Sequence, residues 1–188
     1  MTQNEQYLNE AQARAKEFET EREPARLREA YMALQNVVII REHDPKARAL
    51  LRRKSLEMWL GLVEILDRFL DPNFDPKDVP EMTVQPPPGR DGVALPPGAD
   101  PAKIDDPRAR ADYDKAIAAN RANAERYRLQ SDLRRVNERV TQLADAFIRS
   151  SYTSTKRDQE ELRATIDKTI KNPTRKAELQ RLLSPEKP

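Results

Sequence analysis

Apolar residues recur every three or four positions over most of this chain, the spacing that places them on one face of an α-helix. The longest such run covers residues 106–151, with Tyr113, Ile117, Ala124, Tyr127, Leu133, Val136, Val140, Leu143, Phe147 and Ile148 in phase. No glycine or proline follows Pro107 within it, and Asp106-Pro107 supplies an N-cap with proline at the first helical position. The pattern predicts one helix about 65 Å long. A compact chain of this length has a radius of gyration of about 16 Å, hence a width of only about 40 Å. Such a helix must break, bend or project at one end. Its first half carries small residues (Ala109, Ala111, Ala116, Ala118, Ala119, Ala122, Ala124) and its second half the large ones. Residues 133–148 are therefore expected in the core, and the Ala-rich half is expected to project or to pair closely with another slender helix.

The same periodicity predicts further helices on either side. Residues 4–22 place Tyr7, Leu8, Ala11, Ala15 and Phe18 on one face, and Pro24 ends or kinks that helix while serving as an early position of the next. A second helix over 25–41 has Leu27, Tyr31, Leu34, Val37 and Val38 in phase, widened by Ile39 and Ile40, and His43-Asp44-Pro45 makes a turn and a fresh N-cap. Residues 46–70 begin charged and become the most apolar stretch, with Trp59, Leu60, Leu62, Val63, Ile65, Leu66, Phe69 and Leu70 leaving little polar face. Gly61 inside it costs about 1 kcal/mol of helix propensity relative to Ala, which implies close approach by a neighbouring helix or, less simply, by a ligand. Beyond the long helix, Thr155 caps a helix over 156–171, with Asp158 in the reciprocal position. Asn172-Pro173 opens a last one over 174–183.

Residues 71–105 differ in kind. They hold nine of the fifteen prolines and three of the four glycines, so neither helix nor central strand fits. Pro86-Pro87-Pro88 favours a short polyproline II segment. A structureless stretch of this length is unusual inside a compact domain. Phe74, Val79, Met82, Val84, Val93 and Leu95 are spaced to pin it along the helices as a strap, with a mobile linker as the alternative.

The chain of 188 residues is 35% charged and 37% hydrophobic with four glycines, which favours helix over sheet. The expectation is an all-α protein: an irregular bundle of five or six helices packed around 37–40, 56–70 and 133–148. It divides into N-terminal helical hairpins (1–70), a Pro-rich acidic strap or linker (71–106) and a long helix with two C-terminal helices (107–188), the first and last forming one folded unit. Net charge is zero over 1–70, −5 over 71–106 and +7 over 107–188. The acidic middle could therefore lie against the basic last third.

Cysteine is absent, which removes disulfides and thiolate metal sites. No run of eighteen apolar residues exists to span a bilayer. The first residues lack the basic and apolar regions of a signal peptide, so a cytoplasmic location is the default; an export signal removed beforehand would leave the same picture. The single histidine, His43, cannot furnish the two Glu-x-x-His motifs of a di-iron bundle or a His/Cys zinc site. A Ser-His-Asp triad would have to use it beside Asp44, but no nucleophile turn accompanies it, and a solvated corner histidine is the simpler reading. Gly89, Gly92 and Gly98 lie among prolines and do not form a phosphate loop. Acidic pairs such as Glu160-Glu161 and Asp105-Asp106 sit at helix starts, where they complement the macrodipole. No catalytic residue, metal site or cofactor is assigned.

Basic clusters are the remaining candidates. Arg52, Arg53 and Lys54, and Arg128, Arg134, Arg135 and Arg139, could contact phosphates or an acidic partner. Asp132 and Glu138 interleave with the second group, and no nucleic-acid motif is present, so a salt-bridged solvated face is the alternative.

Residues 7–45 resemble a degenerate tetratricopeptide-type helical hairpin. The resemblance rests on two antiparallel helices, small Ala15, Ala30 and Ala33, and the closing Asp44-Pro45. Pro24 stands where a glycine would be expected between the helices, and bulky Ile40 stands at a small position. No second copy follows at the repeat length, although such arrays need about three units. The resemblance implies protein–protein interaction and carries no catalytic residues. The first expectation of function is thus a non-enzymatic helical interaction or scaffold module, exposing a groove near the Ala-rich stretch and the strap. Self-association through the Ala-rich helix is a further possibility. Nucleic-acid or acidic-partner binding through the basic last third is the second expectation, and a carboxylate-based hydrolase or small-molecule binder the third.

Overall fold

The computed structural model describes residues 2–81, 83–89 and 92–183. Among them the regular structure is helical throughout: α1 (Gln3–Glu21), α2 (Pro24–Gln35), a 3₁₀ turn (Ile39–Arg41), α3 (Pro45–Phe69), a second 3₁₀ turn (Pro101–Lys103), α4 (Pro107–Tyr152), α5 (Lys156–Thr169) and α6 (Pro173–Arg181). This is the all-α architecture the periodicity predicts. The chain forms two compact units, one of residues 1–70 with 132–188 and one of residues 71–131.

Local chemistry fixes the helix ends of the first unit. Thr2 accepts from the Glu5 amide while the Glu5 carboxylate accepts from the Thr2 amide, a complete capping box. Arg22 then turns left-handed (φ 62°) and its N–H closes on Phe18, ending α1 before Pro24 opens α2. Asp44 caps α3, Asn172 caps α6, and Thr155 with Asp158 caps α5 as the sequence predicts.

Three hairpins make up this unit. α1 and α2 pack against each other, and Arg26 of α2 bonds Glu21 at 2.8 Å with Glu17 and Glu29 at 3.4 Å. The second pairs α3 with the last half of α4, running oppositely: Arg52 donates to the Ser151 carbonyl, whereas Asp67 and α4's Asn137 and Thr141 meet at Arg175. The third pairs α5 with α6, where Asp167 binds Lys176 and Gln180.

Within the unit, α1, α3 and α5 stand side by side and parallel. Matching positions advance together, from Leu8 beside Leu51 to Glu19 paired with Arg68, and from Asp158 paired with Arg52 to the Lys171 amide on Glu64. Helices α2, α4 and α6 form the row behind, joined by Arg28–Asp132 and by Arg175. The core between the rows holds Phe18, Leu27, Leu56, Leu60, Leu62, Leu66, Leu133, Ile148, Tyr152, Leu162 and Ile166, each under 2% exposed. A buried leucine or phenylalanine contributes about 1.5–3 kcal/mol by leaving water. Much of the stability of these amphipathic helices therefore comes from packing.

Two expectations fail here. The second helix ends at Gln35 rather than continuing to 41, and 37–40 are not core: Val37, Val38 and Ile39 are half-buried and Ile40 is 83% exposed. The cause is a side chain, for Asn4 of α1 both donates to the Val38 carbonyl and accepts from the Val38 amide, binding that backbone outside any helix. The expected close approach at Gly61 is also absent, since a Cβ built there meets nothing within 4 Å.

In the second unit the strap is pinned to the first part of α4. Asp71 donates its amide to the buried Gln130 and pairs with Arg126, the Tyr127 hydroxyl donates to the Pro76 carbonyl, and Phe74 lies 5.4 Å from the Tyr127 ring. At its other end Ile104 is buried and its carbonyl accepts from Arg110. Val79 and Val93, expected to pin it, are exposed, and Met82 lies outside the described residues. Helix α4 is 46 residues long, its first part in this unit and its last part in the other. The alanines of its first half are exposed or half-buried, whereas Leu133, Val136, Val140, Ala144 and Ile148 are buried.

Candidate docking face

Because α1, α3 and α5 run parallel in one row, the lines between them stay open as grooves. Between α1 and α3, Leu8 and Met58 form the apolar part of a groove of about 220 Å³, rimmed by Glu5, Asn9, Gln12, Lys54 and Glu57. It continues toward the helix starts into a space of about 130 Å³ that shares Glu5, Leu8 and Lys54 and adds Leu50, Leu51 and Ala47. On the other flank of α3, a wider groove of about 530 Å³ against α5 is lined by Lys46, Ala49, Leu50, Arg53, Arg157, Glu160 and Glu161. Leu50, 43% exposed, borders both flanks and links them.

The sequence-predicted basic residues separate into different roles. Arg52 is consumed internally: it reaches Asp158 at 2.7 Å, Glu161 at 3.2 Å and the Ser151 carbonyl at 3.1 Å, with its guanidinium 4.6 Å from the Tyr152 ring centre. Burial works against its charge, but the bond to Asp158 and the neighbouring acids outweigh that and raise its pKa. Asp158 is held below the usual carboxylate range, first by the Thr155 hydroxyl and then by Arg52. Burial likewise raises the Tyr152 phenol, reinforced by Glu161. Arg52 therefore joins α3, α4 and α5 rather than offering itself to a ligand. Arg53 and Lys54 are exposed beside it, one on each flank of α3.

The second basic group does not join them. Arg135 and Arg139 are exposed one turn apart on α4, with Arg135 3.8 Å from Asp132, and Arg134 is half-buried. Arg128 is exposed in the second unit. His43 is exposed at its corner.

Residues that carry this face and had no sequence signal as a site include Leu8, Leu50, Met58, Lys46 and Arg157. They look like ordinary members of amphipathic helices, and only the packing of three parallel helices brings them together. Among the described residues, no group of three or more acidic or histidine side chains is placed to hold a metal ion, and no helix is long and apolar enough to cross a membrane. The arrangement defines a class, a two-row stack of helical hairpins with a grooved face. No protein-family model, curated protein or solved structure shows a significant match to the chain.

Proposed function

We propose that this chain is a non-enzymatic helical protein–protein interaction module that holds a segment of its partner along the groove between α1 and α3. The observation that carries this reading is the apolar line from exposed Leu50 over the nearly buried edges of Leu51 and Leu8 to half-buried Met58, rimmed by polar side chains. An apolar floor with a polar rim is what an amphipathic helix or extended peptide docks into, its anchors giving affinity and its edges register. The tetratricopeptide-like reading of residues 7–45 points the same way, since hairpins of that kind serve protein–protein interaction, and in this unit the α1–α2 pair and α5, which carries α6, both pack against α3.

Peptide-display selection on the full chain tests the proposal. Enriched peptides should lose affinity by about tenfold or more on Met58→Glu, which places a charge on the groove floor, with the circular dichroism spectrum unchanged. Absence of enriched peptides, or binders indifferent to Met58→Glu, would overturn it.

A further inference from the structure

We infer that the partner segment is acidic next to its apolar anchor, and that its carboxylates are received between α3 and α5; this rests on the groove reading above. The two flanks of α3 differ in electrostatics. On the α1 side Lys54 stands against Glu5 and Glu57, and Arg68 pairs with Glu19, so no cation is in excess there; the Glu5 carboxyl is lowered first by its bond from the Thr2 amide and least by Lys54. On the α5 side Arg52 bonds both Asp158 and Glu161, one guanidinium against two carboxylates, and Arg157 adds its field at Asp158. The rest of that wall is Lys46, Arg53 and Arg157 against Glu160, none of which makes an ion pair within 4 Å among the described residues, and with Arg52, Asp158 and Glu161 included four cations face three carboxylates, an excess of one positive charge.

Lys46 and Arg157 lie in the first turns of α3 and α5, and Arg53 lies about two turns further along α3. Leu50 lies on the same wall and also borders the apolar groove, so one segment can place an apolar side chain by Leu50 and its carboxylates by Arg53 and Arg157. An acidic peptide fits this surface better than a nucleic acid. The wall offers no exposed aromatic for base stacking, keeps Glu160 facing the ligand, and includes an apolar residue a phosphate backbone cannot use.

Three fluorescein-labelled peptides of about twelve residues, sharing one leucine pair and flanked by Glu, Ser or Lys, test the inference by anisotropy with the full chain. At low salt the Glu peptide should bind about tenfold more tightly than the Ser peptide, and the Lys peptide least tightly. That advantage should shrink as salt rises from about 50 to about 300 mM. It should vanish in Arg53→Glu/Arg157→Glu, both exposed positions, while Met58→Glu weakens the Glu and Ser peptides alike. Equal binding of all three peptides would overturn the inference and leave the groove reading standing. Binding by none would overturn both. A uridine oligonucleotide that displaces the Glu peptide through Arg53 and Arg157 and binds more tightly than it would overturn the choice of an acidic peptide.

Discussion

A Cβ built on Gly61 meets no atom within 4 Å, although the residue lies in the middle of the most apolar helix of the chain. Its backbone is helical and its φ is not positive, so glycine's freedom is unused there. Gly61→Ala should therefore raise unfolding stability by about 0.5–1 kcal/mol, read as a higher urea midpoint at unchanged slope. A loss of stability would mean that the space above α3 is smaller than described. From sequence, the cost of this glycine to the helix was legible but the space around it was not. Ile40 teaches the same lesson in reverse. A run of four apolar residues looked like core, yet the Asn4 amide holds Val38 out of helical geometry and leaves Ile40 in solvent. The pairing joins residues 34 positions apart, so no local pattern carries it.

At the scale of elements, propensity and capping signals did most of the placing. Asp44, Asp106, Thr155 and Asn172 each accept from the first turn of the helix they precede, as their side chains are suited to do. The capping box at Thr2 and Glu5 was equally present in the letters, and it moves the start of α1 one residue earlier than apolar spacing alone suggested. Helix α4 shows how propensity and packing divide the work. Residues 114–126 bury no side chain, so that stretch is held by its alanines, by pairs such as Arg121–Glu125 and by backbone bonds, whereas residues 133–148 bury one face completely. Native-state hydrogen exchange should accordingly show amides at 114–126 exchanging by local opening, about 100-fold or more faster than those at 133–148. Equal protection over both stretches would mean that the Ala-rich half is covered by something, a second copy included.

On the scale of the molecule, one cluster ties three helices of the first unit together and sets a pH dependence. Arg175 of α6 meets Asp67 of α3 at 3.7 Å and Asn137 and Thr141 of α4 at 3.1–3.2 Å, and all this is mostly buried. Burial raises the Asp67 carboxyl above its ordinary value, with Arg175 opposing and Glu64 and Glu178 reinforcing the shift; Asp145 is raised for the same reason. A raised carboxyl means the folded state binds the proton more tightly than the unfolded state. The contribution of Asp67 to stability is then least favourable above its folded pKa and improves as pH falls through it toward the unfolded value near 4. The stability of the native chain relative to Asp67→Asn should therefore decline as pH rises from about 4 through the raised folded pKa of Asp67. A difference that grows over that interval would show Arg175 prevailing over burial.

The sequence by itself determined the helices, most of their caps, the segregation of the prolines into one strap and the residues of the core in 56–66 and 133–148. These rest on interactions within a few residues along the chain, where period, propensity and hydrogen-bonding side chains act directly. Tertiary structure alone decided that α1, α3 and α5 stand parallel in one row, that Arg52 is spent on Asp158 and Glu161 while its neighbour Arg53 has no ion pair among the described residues, and that Leu8, Leu50 and Met58 line a common face. Neighbouring arginines in a sequence are chemically alike. What separates them is which carboxylates distant helices bring within reach, and that is settled only when the hairpins stack.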